Sequence, residues 1–473
     1  MDRPEPIHPG RLVPGSPRPP GNVNGRTRER VPSPAGVRSE SETDVCVVGA
    51  GPAGLALALM LLRSGIRVTV VERSTALRRE FHGEILQPGG QRILDELGVL
   101  APARARGACG LRGFQVLERE RTLLDIDYAR LGAPYATLLA LPQPHLLEEL
   151  LAACRQLTGF TLLEGHRVAS LVERRPGGPV TGAVAHGPEH SRTTVRAQCV
   201  VGADGRFSRT RALAGIAAGR SESFKQDVAW FALEAPGRAT GQVRVHRADG
   251  SAVLVHDTHP GRLRIGWTLP HGGWNRAAAQ GIGAVRRELA GVLPQFADLL
   301  EEQLTSLRRL TLLDVFASQA QEWVRDGLVL IGDSAHTHGP IGAQGINLAL
   351  QDAAALHPVL VGALAAGGPT RERLAPFQER RAPVAAAVHR MQRAQARAML
   401  APSAGPVADF LRARAAALVG RTPIGGRIAR RVAYGSDPVR VRTDLFTRGP
   451  ALAPVRDTGR DTGRDTGRGA ATG

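Results

Sequence analysis

The segment Gly49-Ala50-Gly51-Pro52-Ala53-Gly54 limits what this chain can fold into more than any other stretch, because of what flanks it. Asp44-Val45-Cys46-Val47-Val48 before it reads as a buried strand, Leu55 to Ser64 after it as a helix, and Arg67-Val68-Thr69-Val70-Val71-Glu72 as a second strand. Near-continuous apolar runs on both sides of a helix mark a βαβ unit, whose parallel strands are covered on both faces. The first glycine permits the tight bend, the second lets backbone amides approach a pyrophosphate, and the third lets helix pack on strand. Gly49, Gly51, Ala53 and Gly54 therefore frame a phosphate site at a helix N-terminus, whose partial positive charge favours an anion. Glu72, with Arg73 counted in the same site, ends the second strand, where a carboxylate accepts the hydroxyls of an adenosine ribose and repels a 2'-phosphate. The turn implies a dinucleotide and leaves its identity open.

Two later segments narrow the choice. Cys199-Val200-Val201-Gly202-Ala203-Asp204-Gly205-Arg206-Phe207-Ser208, and the run from Gly332-Asp333-Ser334-Ala335-His336 through Thr337-His338-Gly339-Pro340 to Asn347, each set an acidic residue beside a glycine after a buried strand. Such strand ends line the ligand crevice of an open α/β sheet. Asp333 suits a sugar-like hydroxyl, and the amides of Gly342 to Asn347 at a helix start suit negative charge on a flavin ring.

With these three loops in this order, the sequence resembles the group A flavoprotein monooxygenases, the family of para-hydroxybenzoate hydroxylase, over about residues 44 to 370. The resemblance implies FAD, with the first loop on its pyrophosphate and Asp204, with Arg211 downstream, near the pyrophosphate and the path of NADPH or NADH. It implies Gly332 and Asp333 at the ribityl chain, and Pro340, Gly342, Gly345, Ile346 and Asn347 at the isoalloxazine. Gln143 matches a family position that contacts the flavin nucleotide. The run Arg79-Glu80-Phe81-His82-Gly83-Glu84-Ile85-Leu86-Gln87-Pro88-Gly89-Gly90 is similar to the Gly-Glu-Leu-Leu-Gln-Pro-Gly-Gly run of squalene epoxidases, which share the fold. Where those relatives carry arginine just before Gly83 this chain has Phe81-His82, and Arg79 stands in for that contact. The alternative, that Glu84 and Gln87 only cap a helix from Gly89 to Leu97, stays open. His336 is read as structural, and neither histidine nor cysteine spacing gives a metal site.

The implied fold class is α/β, a Rossmann-like FAD-binding domain with a discontinuous second domain on a largely antiparallel sheet, plus C-terminal helices. The FAD-binding part is expected at 43–112, 140–220 and 308–370, and the substrate domain at 113–139 and 221–307. The latter rests on a hairpin, Gly113 to Glu118 with Thr122 to Asp127, and a meander of Val228 to Glu234, Gln242 to His246, Ala252 to Asp257 and Arg262 to Thr268. A helical region is expected at 371–447. Residues 1–42, dense in Pro, Gly, Ser and Arg, read as a disordered leader, and 448–473, with its Arg-Asp-Thr-Gly repeats, as a disordered tail.

The resemblance further implies a reaction in which a transient NADPH or NADH reduces FAD and one atom of O2 passes, through a flavin C4a-hydroperoxide, to a small apolar or aromatic substrate. Ring hydroxylation leads. A squalene-epoxidase-like alkene epoxidation, served by a separate reductase, and an FAD-dependent reduction without oxygen insertion are the alternatives. Trp230, Phe231, Trp267 and Tyr128 are candidate linings of the apolar pocket. The net charge of +18 is almost all arginine, Lys225 being the only lysine, and no nucleic-acid-reading signature accompanies it, so no nucleic-acid partner is expected. Four cysteines without paired spacing suit a reducing compartment. The apolar stretch taken as longest, Leu55 to Leu62, is too short to span a bilayer, and a cytoplasmic enzyme is expected. The basic region from Val407 to Tyr434 offers a peripheral membrane contact or packing on the chain itself or on a homodimer partner.

Overall fold

The expected strand, turn, helix and strand form the centre of an eight-stranded sheet. A computed structural model of the chain describes residues 38–76, 83–118, 121–221, 226–248, 251–400 and 423–447. Strand Arg38–Val48 leads into helix Pro52–Arg63, whose side chains from Ala53 to Leu62 are buried, and then into strand Val68–Glu72. Strand Arg38–Val48 pairs in parallel with Val68–Glu72 on one side and Arg192–Gly202 on the other, and the sheet continues in parallel to Phe160–Glu164 and Leu328–Leu330. The strand begins earlier than the sequence suggested. Arg38 to Glu42, expected in the disordered leader, pair in register with Arg192 to Arg196, because the alternation Ser39, Ser41, Thr43 against Thr193, Val195, Ala197 suits an extended edge even without apolar bulk. Residues 1–37 and 448–473 lie outside the described residues, as does Arg79.

A seven-stranded sheet follows the order Thr311–Leu313, Gln226–Glu234, Arg262–Pro270, Ser251–Thr258, Val243–Ala248, Gly113–Glu118, Arg121–Asp127. Every pairing is antiparallel except that of Val243–Ala248 with Gly113–Glu118. The hairpin at 113–127 thus completes a sheet whose other strands arrive a hundred residues later, which is the discontinuity expected. Thr311–Leu313 also belongs to this sheet, although the sequence reading set it with the nucleotide-binding part; three residues carry too little pattern to be placed by periodicity.

Alternation along these strands divides the sheet into two faces. Phe231, Val253, Val255, Ile265 and Trp267 point to one side, into a core closed by helices Ile282–Val292 and Ala297–Gln303. Trp230, Leu254, His256 and Arg264 point to the other, into a cavity. Two of the four proposed pocket aromatics, Phe231 and Trp267, are therefore core, and Trp230 and Tyr128 line the cavity.

Helix Gly345–Ala365 is long and apolar enough to cross a membrane by length and composition, exceeding the Leu55 to Leu62 stretch, but it is a core helix. It packs against helices Pro52–Arg63 and Arg371–Leu400, and it carries a fully buried carboxylate, Asp352, paired with Arg381. Of the basic C-terminal region, 401–422 lie outside the described residues, and helix Pro423–Tyr434 packs on helix Pro88–Glu96 of the same chain.

The face assignment has a measurable consequence. Trp267→Ala is expected to cost about 3–5 kcal/mol of folding stability in urea titration, as buried aromatic truncations do, whereas Trp230→Ala costs less than half as much.

Candidate functional site

Gly49 has φ of 107°, and a Cβ there would lie 2.5 Å from the carbonyl oxygen of Ala203; one on Gly54 would strike the carbonyl of Gly49. Both positions need glycine, and through them the turn closes on the second loop. Glu72 is buried at the end of its strand, and its carboxylate accepts the amides of Ala50 at 2.7 Å and Ser74 at 3.0 Å. It therefore stiffens the glycine turn. Arg73, next to it, is exposed.

Asp204 does not face the cavity. Its Oδ1 accepts from Ser208 at 2.5 Å and Ser334 at 3.1 Å, and its Oδ2 accepts the amide and hydroxyl of Thr210 at 2.9 and 3.0 Å. The carboxylate is spent on holding its own loop to the Gly332 loop, and Ala203, Gly205 and Arg206 present the loop to the cavity instead. Arg211 likewise donates to the carbonyls of Ser334 and Arg206.

A single cavity of about 910 Å3 runs from the helix start at Gly51, Pro52 and Ala53, past Asp333 and Gln143, to Pro340, Gly342, Gly345 and Ile346. It ends against the seven-stranded sheet, on Phe114, Val116, Ile126, Trp230, Leu254 and Leu313. Gly49, Gly54, Glu72, Gly332 and Asn347 sit behind this lining as its support. Asn347 is the clearest case. Its Oδ1 accepts the amide of Gln87 at 2.8 Å and its Nδ2 donates to the carbonyl of Ala343 at 2.7 Å, so its side chain shapes the loop rather than reaching a ligand. Gln87 in turn donates from Nε2 to the carbonyl of Gly342 at 2.9 Å and accepts from Tyr128 Oη at 2.9 Å. It makes no side-chain cap on helix Pro88–Glu96. The Gly83 to Gly90 run is thus a brace for the Gly342 loop, not a helix cap.

Asp352 anchors the same loop from behind. Its carboxylate accepts the Gly332 amide at 3.0 Å, His336 Nε2 at 2.5 Å and Arg381 Nε at 2.8 Å, all buried. Burial alone would push this carboxyl up, but the charges and hydrogen bonds of His336 and Arg381 outweigh it and hold it well below the usual carboxylate range. His336 is accordingly structural, and His338, stacked on His389 at 4.1 Å, is kept neutral by burial where it reaches the cavity wall.

The lining fits FAD. The free amides of Ala53 and Gly54 at the start of helix Pro52–Arg63 suit a pyrophosphate. The carboxylate of Asp333 borders the cavity with no hydrogen-bond partner among the described residues, its pKa pushed up chiefly by burial. Gln143 Oε1 is buried there without a partner. The start of helix Gly345–Ala365 turns the amides of Gly345 and Ile346 to the same space, and a Cβ on Gly345 would meet nothing within 4 Å.

Residues 42–392 match the family described as FAD binding domain. The chain belongs to the para-hydroxybenzoate hydroxylase-like FAD-dependent monooxygenases. It is 52% identical over 409 residues to 6-methylpretetramide 4-monooxygenase of Streptomyces rimosus, covering 86% of this chain and 96% of that one. The structure of anhydrotetracycline hydroxylase from Streptomyces rimosus is similar at a TM-score of 0.65 and 25% identity, covering 83% of this chain and 76% of that chain. That of p-nitrophenol 4-monooxygenase from Pseudomonas putida DLL-E4 is similar in fold, with a TM-score of 0.69 at 20% identity, covering 83% of this chain and 97% of that one. The monooxygenase is an enzyme that uses FAD to hydroxylate an aromatic ring. The sequence reading singles out the run that holds Gln87 but misses His256, Arg264 and the contribution of Gly426 to Val432 to the cavity wall; strand alternation carried forward from Val253 and Val255 would have found His256 and Arg264.

Asp352 supplies a pH test. Its folded-state pKa is depressed, so its stabilisation is present above the unfolded carboxylate value of about 4 and is lost as pH falls below it. Asp352→Asn, which leaves Arg381 buried without its counter-charge, is expected to cost about 3–5 kcal/mol at neutral pH and to flatten the acid limb of stability measured by thermal melts.

Proposed function

We propose that this monooxygenase hydroxylates a planar, fused-ring polyphenol, the chemical class to which pretetramides belong, with NADPH or NADH as a transient reductant. The observation that carries this reading is the continuity of the cavity, which the Pro340 to Ile346 loop and the cavity-facing side of the antiparallel sheet line together. A volume of about 910 Å3 is at the upper end for ligand cavities. It accommodates a flavin ring and a multi-ring substrate together. The name of the relative at 52% identity supports the substrate class.

FAD, when bound, supplies the activation of O2 and the transfer of one of its atoms. The protein's share is positional. The amides of Gly345 and Ile346 favour negative charge at the ring end of the cofactor, as a preorganised set of dipoles does. The Tyr128–Gln87–Gly342 chain and the two bonds from Gln392 to the carbonyls of Gly339 and Ile341 hold the loop that carries them. Trp230, Leu254, Leu313 and Val315 exclude water from the face where the substrate ring would lie. Asp333 and Gln143 would hold the cofactor's polar chain, and Gly51 to Ala53 its pyrophosphate. The sequence contains one glycine turn of the dinucleotide type, which supports a reductant that visits and leaves.

Two measurements test the reading. Stopped-flow reduction of the FAD-loaded enzyme by NADPH or NADH is expected to accelerate when 6-methylpretetramide is added; reduction by neither nucleotide would contradict the reductant and indicate a separate reductase. Asp333→Ala is expected to weaken FAD binding by about 10- to 100-fold, the worth of one hydrogen bond to a charged group, read by fluorescence titration of the apoprotein.

A further inference from the structure

The sheet end of the cavity has a polar corner whose groups come from separate parts of the chain. Glu84 follows Gly83 before strand Ile85–Leu86, Arg264 lies on strand Arg262–Pro270, and His256 lies on strand Ser251–Thr258, paired directly with Arg264 in register. All three line the cavity. Arg264 Nη2 donates to Glu84 Oε1, and Glu84 Oε2 is buried with no partner. His256 is 3% exposed, and its Nδ1 lies 3.0 Å from the carbonyl oxygen of Asp257. A carbonyl can only accept, so Nδ1 carries the hydrogen and Nε2 presents a lone pair. No described residue bonds Nε2.

No described residue uses the lone pair of this buried imidazole to hold the fold. The core role belongs to Val253 and Val255 on the opposite face of the same strand. The carboxylate of Asp257, the neighbour on the chain, is taken up by Thr240 and Gly241 and does not turn to His256. The charged groups that bear on the imidazole are Glu84 from one side and Arg264 from the other, with Asp257 on its own strand; Cys109, on the neighbouring strand Cys109–Leu111, is a thiol that burial and the same carboxylates keep protonated. Burial, first of all, holds His256 in its neutral form.

We propose that His256 Nε2 receives the proton of a substrate ring hydroxyl, and that Glu84 and Arg264 steady the charge pair so formed. This rests on the polyphenol reading above and adds the residue that selects it. The O–H bond breaks with its electron pair left on oxygen, and the proton passes to Nε2. The phenolate spreads its charge to the ring carbons ortho and para to it, and one of these becomes the nucleophile toward the oxygen atom that the established reaction delivers. That carbon then loses its hydrogen as a proton when aromaticity returns, the proton passes to the second oxygen atom of O2 on its way to water, and the ring oxygen takes its own proton back from His256. The net change is one oxygen atom inserted, with His256 neutral again. The imidazolium lies beside the Glu84 carboxylate, and the phenolate lies within the field of Arg264, so neither charge stands alone in the apolar wall.

The experiment uses the FAD-loaded enzyme with two planar probes, 1,8-dihydroxyanthraquinone and anthraquinone, which differ only in the ring hydroxyls. Difference absorption gives both affinity and the ionisation of the bound hydroxyl. Wild-type enzyme is expected to bind the dihydroxy ring about tenfold more tightly than the bare ring, the ordinary value of one buried hydrogen bond, with the red-shifted band of the phenolate at a pH where the free probe is neutral. His256→Leu is expected to lose the preference and the band while keeping its FAD and its affinity for anthraquinone. His256→Gln, which can accept but not hold a proton, is expected to keep part of the preference without the band. Equal binding of the two rings by wild type, or a preference and a band that survive in His256→Leu, would overturn the assignment to His256. Binding of neither ring would overturn the polyphenol reading itself.

Discussion

One buried carboxylate organises the catalytic half of this molecule. Asp352, fully enclosed in the helix Gly345–Ala365, gathers the amide of Gly332, the ring of His336 and the guanidinium of Arg381. Those partners belong to the turn that presents Asp333, to the strand His336–Thr337 that leads into the Pro340 loop, and to the helix Arg371–Leu400 that backs it. A charge so deep is tolerated only when paired and hydrogen-bonded on every side, and removal of one member strands the others. The arrangement therefore fixes three chain segments relative to one another at the place where the cofactor ring is to lie.

From that anchor the site is built in layers. Gln87, Asn347, Gln344 and Gln392 bond the carbonyls of the Gly339 to Ala343 loop from three directions, leaving the amides at the start of helix Gly345–Ala365 turned toward the cavity. These polar side chains are spent on the backbone of that loop. Other polar groups border the open space, and among them Gln143 Oε1, Glu84 Oε2 and His256 Nε2 have no partner among the described residues. Buried polar groups left without protein partners in a native cavity are where ligand recognition is concentrated.

Much of this was legible in the sequence, for reasons that differ along the chain. The glycine turn could be read because a positive φ at Gly49 and close contact at Gly54 admit no other residue, and Glu72 because a strand end after a βαβ helix has one geometry. The antiparallel sheet could be read from its period of two. Which face of that sheet met the cavity could not, since Trp230, Phe231 and Trp267 are equally apolar, and only the helices packed on Phe231 and Trp267 decide the matter. Asp204 and Asn347 were placed among the ligand contacts because their loops are; their side chains turn inward, since short polar side chains at loop corners bond neighbouring backbone more readily than a distant ligand. Alternation along neighbouring strands could have set His256 and Arg264 on one face, but that this face meets Glu84 and Gln87, far earlier in the chain, leaves no trace in local pattern.

The central claim is that the loop at Pro340 to Ile346 and the cavity-facing side of the sheet line one reaction space, in which an oxygen atom from O2 reaches an aromatic ring. Turnover under 18O2 in ordinary water, followed by mass spectrometry of the product, tests it most directly. The account predicts one 18O atom in the hydroxylated ring and none when the label is placed in water instead. Label arriving from water, or an oxidised product free of 18O, would contradict it.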